Sequence, residues 1–271
     1  MISWIGGKSQ ISKWICPFIP VDIKTYVEPF GGAFWCYLKM DLSKFENLDN
    51  VVYNDFNNYL VNLFMSCKEH EKFYTYLSEF KSQNRLLFEQ YQKDLFDSES
   101  NFELNMPNFE YAMKFAYLAT QVWSGISPST GKFIDLKGKY KSKFDTFRDK
   151  LIKPEYISKL SKITNFENLD FEKVIEKYDG DDSFFYIDAP YHNTEHYYSN
   201  HDFKKEDHER LAKCLKSIKG KFAMSYYEFK ELSDWFPKNK YRWESKDFSK
   251  SAMARSGKDQ TKGTELLIMN Y

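Results

Sequence analysis

The densest group of chemically useful side chains lies in the stretch FFYIDAPYHNTEHYY, residues 184–198. A short apolar run of strand type ends there on Asp188, and Ala189, Pro190 and Tyr191 follow directly. Proline biases the residue before it toward extended backbone, so Ala189 is restricted. A carboxylate at a strand end, followed by such a turn, is either an active-site loop or an ordinary connection. Two more carboxylates share this setting. Glu28 ends TYVE, and after it Gly31 and Gly32 lack the side chains that would keep a ligand from the backbone and the start of the next helix. Asp55 ends VVYND about two dozen residues later, a spacing suited to a carboxylate that accepts hydrogen bonds from both hydroxyls of a ribose. An adenosine-containing ligand is implied. The plainer alternatives are a tight turn at the glycine pair and an N-cap at Asp55. No G-x-G-x-x-G and no Walker lysine motif occur, which disfavours a dinucleotide or a nucleoside triphosphate. His192, His196, His201 and His208 lack the flanking glutamate of a zincin helix, and their proline-containing loop opposes helical display, so no metal site is expected.

These residues need a scaffold that brings strand ends together. Short β-type runs recur at 25–30, 51–55, 184–188, 221–227 and 265–271, several closing on an acidic residue. Between them lie helical patterns such as KEDHERLAKCLKSIKG, where Leu211, Leu215 and Ile218 share a face and Gly220 has the position of a C-cap. Strands alternating with helices predict a mostly parallel α/β sheet covered on both faces, with ligands outside the carboxyl ends of the strands. Residues 65–165 break the rhythm, being aromatic, charged and mainly helical, and they read as an insertion.

The 271-residue chain is long enough to bury a core without staples. Cys16, Cys36, Cys67 and Cys214 are widely spaced and form no C-x-x-C pair, so neither a disulfide framework nor a zinc site is expected. No apolar run reaches the roughly 18 residues of a membrane span, and MISWIGGKSQ does not have the pattern of a signal peptide. The expectation is a soluble cytoplasmic protein. Net charge is zero, but residues 132–162 carry about +6 and residues 238–262 about +5, enough to neutralise several phosphates if presented together. Solvated helix faces explain the same runs equally well.

Taken in order, WIGGK (Trp4 to Lys8), VEPFGGAF, NDFNNYLVNLF, NLDFEKVIEKYDGDDSFFYIDAPYHNTEHYY, DHERLAKCLKSIKGKFAMSYY and TELLIMNY resemble the Dam-type family of DNA adenine-N6 methyltransferases. The resemblance covers nearly the whole chain and is weakest over 65–165. It implies a Rossmann-like class I methyltransferase fold, a mostly parallel seven-stranded sheet with the last strand antiparallel. Residues 1–64 and 166–271 would form the catalytic domain and 65–165 a mainly helical target recognition domain. It implies S-adenosylmethionine as methyl donor, leaving S-adenosylhomocysteine, and a pocket of Trp4, Lys8, Glu28, Phe30, Gly31, Gly32, Asp55, Phe56, Asp170, Phe171 and Asp188. The family's catalytic loop is Asp-Pro-Pro-Tyr, and here Ala189 replaces its first proline. In that mechanism the target adenine is turned out of the duplex, Asp188 and the main-chain carbonyl at 189 accept from its amino group, and Tyr191 stacks on the base. Alanine has the same carbonyl, so an active enzyme is expected. Tyr197, Tyr198 and Phe203 would line or support the base pocket.

The resemblance also implies double-stranded DNA as partner. The recognition loop would be WSGISPSTGKF, with Trp123, Ser124, Ser127, Ser129 and Lys132 as base-reading candidates and Lys139, Lys141 and Arg255 on phosphates. A solvent-exposed hairpin is the plain alternative. The loop lacks the arginine that reads guanine in GATC enzymes, so the target is expected to contain adenine without being assigned to GATC. A monomer is the default. The rival readings are a DNA-binding protein with little or no turnover and a methyltransferase acting on the exocyclic amine of cytosine.

Overall fold

Alternating side chains along the central strands face two different cores, which fixes the architecture. Tyr26, Phe184 and Tyr186 belong to one buried cluster, and their chain neighbours Val27, Phe185 and Ile187 to the other. The sheet is therefore covered on both sides. The computed structural model describes residues 2, 4, 7–80, 84–97, 102–123, 127–134, 142–192, 203–249 and 262–271. Its strands are β1 (Thr25–Glu28), β2 (Asn50–Asn54), β3 (Asn165–Glu167), β4 (Ser183–Ile187), β5 (Lys221–Tyr226), β6 (Arg242–Ser249) and β7 (Lys262–Met269). Its α-helices are α1 (Ser12–Ile15), α2 (Trp35–Lys39), α3 (Asn58–Lys68), α4 (His70–Ser78), α5 (Arg85–Phe96), α6 (Phe109–Gln121), α7 (Lys143–Lys150), α8 (Pro154–Leu160), α9 (Phe171–Tyr178), α10 (Lys205–Ser217) and α11 (Leu232–Trp235).

The seven strands form one sheet in the order β3-β2-β1-β4-β5-β7-β6. Neighbours from β3 to β5 pair in parallel, and β7 runs antiparallel to both β5 and β6. This is the Rossmann-like arrangement expected from the sequence, with the last strand reversed. Strand β4 is buried at every position, as a central parallel strand must be. Helices α2 to α8 cover one face through residues such as Phe34, Phe64, Phe115 and Phe147. Val174 and Ile175 of α9, Leu211 and Leu215 of α10 and Leu232 of α11 cover the other.

Three features differ from the sequence expectation. Strands β3 and β6 went unread because β3 is half-buried throughout and β6, RWESKDFS, is a charged edge strand. Gly220 is not the C-cap of α10, which ends at Ser217 with Ile218 extended. It sits where a Cβ would lie 2.8 Å from the Ser183 carbonyl oxygen, so close backbone approach demands glycine there. Helix α3 also crosses the expected boundary at 64/65, and the side chains of α3 to α8 share one core with the sheet.

Candidate active site

The carboxyl ends of β1, β2 and β3 are tied together by two asparagines. Asn54, fully buried at the end of β2, donates to the Pro29 carbonyl (2.7 Å) and the Leu169 carbonyl (3.1 Å), and its Oδ1 accepts from Leu169 N (2.9 Å). Asn168 donates to the carbonyls of Asp55 (2.8 Å) and Phe56 (2.9 Å). One side chain therefore joins the loop after β1 to the loop after β3. The glycine pair lies within this clasp. A Cβ on Gly31 would fall 2.5 Å from the Tyr53 ring and 2.8 Å from the Asn54 carbonyl oxygen, and Gly32 has φ +48°, a left-handed conformation that side chains rarely adopt. Phe34 is left-handed too, at φ 56°, a strain of about 1–3 kcal/mol that its contacts with Tyr37, Tyr53 and Phe64 over-determine. Asp55 is not the cap of α3. Asn57 caps that helix, while Asp55 accepts from Gly32 N and Asn57 N, each at 2.8 Å, and braces the glycine turn.

A cleft of about 400 Å³ opens along these loops. Its wall includes every residue named from the sequence for the cofactor: Trp4, Lys8, Glu28, Phe30, Gly31, Gly32, Asp55, Phe56, Asp170, Phe171 and Asp188. One end is aromatic. Phe30 stacks on Phe171 with centroids 5.4 Å apart, and Phe203 meets Phe30 edge-on at 5.8 Å. Asp170, the cap of α9, binds Arg210 through both oxygens (3.0 and 2.8 Å), and the Arg210 guanidinium lies 4.3 Å from the Phe171 centroid. Arg210 thus belongs to the cleft although its amphipathic helix reads as an ordinary solvated one.

The other end is ionic. Glu28 is buried, accepts from Tyr26 OH (2.7 Å) and Tyr37 N (3.0 Å), and burial pushes its carboxyl well above the usual range. Lys8 is not a surface lysine. It is 7% exposed, with its ammonium 2.7 Å from Asp188 Oδ1, 3.5 Å from Glu265 Oε1 and 4.6 Å from the Tyr191 ring centroid. Burial raises the Asp188 carboxyl above its ordinary value, and Lys8 and the Tyr191 hydroxyl oppose the shift. Tyr191 donates to Glu265 and lies 3.4 Å from Asp188 Oδ1, and its ring packs on Tyr226 and Tyr227. It is buried behind the cleft wall rather than presented as an open platform. Ala189 is buried as well, and Pro190 reaches the wall. Tyr226 stands 3.5 Å from the Pro190 carbonyl and bonds to His208 Nδ1. Sequence reasoning missed Glu265, although a lone carboxylate in the apolar run ELLIM was the available signal.

The recognition candidates are less convergent. Trp123 is an exposed large apolar side chain, and Lys132 is exposed. Ser127 and Ser129 share a hydrogen bond of 2.8 Å within their turn, which Gln92 of α5 holds by its bonds to the Pro128 and Gly131 carbonyls. Ser124, Lys139, Lys141 and Arg255 lie outside the described residues, as do His196, Tyr197, Tyr198 and His201. His192 stacks on Phe229 and lies 5.5 Å from the His208 ring. No group of three potential metal ligands occurs among the described residues, and none of their helices is long and apolar enough to cross a membrane.

With this geometry in place, comparison with known proteins is specific. The sequence model of D12 class N6 adenine-specific DNA methyltransferases matches residues 4–249. Three relatives align along nearly their whole lengths. The type II methyltransferase M1.LlaDCHI of Lactococcus lactis subsp. cremoris is 27% identical over 99% of this chain and 94% of its own. M.CviBI of Paramecium bursaria Chlorella virus NC1A is 28% identical over 100% and 99%, and M.MjaIII of Methanocaldococcus jannaschii 27% over 100% and 98%.

Proposed function

The chain belongs to the D12 class N6 adenine-specific DNA methyltransferases, and from that membership we propose that it moves a methyl group from S-adenosylmethionine to N6 of an adenine turned out of duplex DNA. The observation that carries the finer reading is the single cleft joining an aromatic end at Phe30 and Phe171 to the Asp188 carboxylate across a glycine turn. The residues fit the cofactor. The volume suits a nucleoside-sized ligand, Gly31 and Gly32 leave the backbone uncovered, and Asp55 and Asp170 are acceptors for ribose hydroxyls and a base amine. When bound, the cofactor supplies an electrophilic methyl group on a sulfonium.

The chain's own contribution is orientation. A base amino group held in the duplex stack cannot enter this cleft, so extrusion of the base is part of the proposal. Asp188 then accepts a hydrogen bond from the amino group, and the Ala189 carbonyl serves as second acceptor. Two acceptors fix the direction of the nitrogen lone pair, which is catalysis by positioning and electrostatics. Residues 65–165, with Trp123 and Lys132 exposed, are assigned to target recognition in the same proposal.

Mass spectrometry of nucleosides from mixed-sequence duplex DNA, after incubation with S-adenosylmethionine, tests the reading. N6-methyladenine is expected, and an N4-methylcytosine product would overturn it. Asp188→Ala should abolish the product while cofactor affinity stays within roughly tenfold, and a fully active Asp188→Ala protein would remove the assigned role.

A further inference from the structure

Lys8 poses a problem for Asp188. An ammonium 2.7 Å from Oδ1 draws off the negative charge that a target amino group needs, and it also covers the Tyr191 ring at 4.6 Å. Lys8 cannot simply swing away unpaired, because at 7% exposure a cation without a counter-charge is costly. The second carboxylate answers this. Glu265 of β7 is 1% exposed and lies behind the wall of the cleft, so it touches neighbours rather than substrate. Its Oε1 is 3.5 Å from the same ammonium and accepts the Tyr191 hydroxyl.

Resting on the methyl-transfer reading above, we propose that Glu265 is a positioning residue for the reaction: it anchors the Tyr191 hydroxyl and takes the Lys8 ammonium when the target amino group reaches Asp188. The two Lys8 distances differ by less than an ångström, and the lysine stem is flexible enough for so small a transfer. The exchange leaves the buried cluster with the same charges throughout. One cation moves between two carboxylates, and the neutral amino group takes the place it leaves.

The setting argues that the carboxylate is there for its charge. Leu266, Leu267, Ile268 and Met269 follow it on β7, all buried. A leucine would continue this pattern without the desolvation penalty of an ionised group. Burial raises the Glu265 carboxyl, and Lys8 and Tyr191 oppose the rise while Asp188 adds to it. The other polar groups around it are the hydroxyls of Tyr186 and Tyr227, each of which feels its charge, and Lys246, its register partner on β6, whose ammonium lies 5.9 Å from the Trp14 ring.

The test compares wild type, Glu265→Gln, Glu265→Asp and Glu265→Ala for thermal unfolding, S-adenosylmethionine affinity, kcat against pH, and the titration of Lys8 followed by the NMR signal of its 13C-labelled ε-carbon. Glu265→Gln is expected to fold and to bind cofactor within about threefold of wild type while kcat falls at least tenfold. Loss of a neighbouring negative charge makes Asp188 easier to ionise and Lys8 easier to deprotonate, so both limbs of the pH profile move to lower pH. Glu265→Asp should recover part of kcat. A Glu265→Gln protein with wild-type kcat and profile overturns the proposal, and so does a slower one whose pH limbs and Lys8 titration stay in place, because that is the behaviour of a purely structural residue. Should the wild type itself leave adenine unmethylated, the underlying reading fails and takes the catalytic half of the proposal with it. The Lys8 titration, which needs no turnover, still decides whether Glu265 holds the ammonium.

Discussion

Replacing Asn54 by alanine tests whether the clasp between strand ends sets the site. The substitution removes three hydrogen bonds, a buried one to Pro29 O and two part-buried ones to Leu169 O and Leu169 N, and leaves the backbone bond from Gly31 N to the residue 54 carbonyl in place. At about 1 kcal/mol net per bond the loss is ~3 kcal/mol. For a chain of this size, with an m-value near 3 kcal/mol/M in urea, that is a drop of about 1 M in the midpoint. Because the bonds join the loops carrying Phe30 and Phe171, the aromatic end of the cleft should also spread, and S-adenosylmethionine affinity measured by calorimetry should fall at least tenfold. Asn54→Asp should be worse than alanine, since it sets a carboxylate against two carbonyl oxygens. A destabilisation under about 1 kcal/mol would refute the hydrogen-bond reasoning, and a full loss of stability with unchanged affinity would refute the link to the site.

Other consequences are equally direct. Gly31→Ala forces a methyl group against Tyr53 and the Asn54 carbonyl, for a cost of about 1–3 kcal/mol in urea unfolding and a clear loss of cofactor binding. Ala189→Pro should retain or raise kcat in a methylation assay, since Pro190 already biases position 189 toward extended backbone; a protein that folds without turnover would mean the loop is built differently. Lys8→Met removes the cation that opposes the raised Asp188 carboxyl, so the acid limb of kcat against pH should move to higher pH, opposite to the shift expected for Glu265→Gln.

What was legible in the sequence follows from how local each signal is. Glu28, Asp55 and Asp188 could be read because each closes an apolar strand run, and in a parallel sheet such ends converge. Strands β1, β2, β4 and β5 carry the same signal. Strand β3 is three half-buried residues and β6 an edge of alternating charge, so neither has an apolar run to detect. Asn54 looked like one of several asparagines, and its role appears only when the loops after β1 and β3 lie on either side of it. Arg210 sits on a helix whose exposed face is rich in charge, and only the docking of α10 beside α9 brings it to Asp170 and Phe171. Glu265 is visible as a lone carboxylate heading an apolar run, but its partners Lys8 and Tyr191 emerge only from the topology, because β7 enters between β5 and β6 rather than at the sheet's rim.

That placement of β7 bears on how the protein comes into being. Tyr191 and Glu265 are 74 residues apart, so at about 5–20 residues per second a ribosome needs roughly 4 to 15 seconds to travel from one to the other. For that interval Lys8 and Asp188 exist without the second carboxylate, and once β5 has been made, about halfway through it, the sheet has an open edge there until β7 follows. A nascent chain that has already gathered its cofactor-facing loops is thus still an incomplete catalyst, and the strand that closes the sheet also completes the ionic cluster.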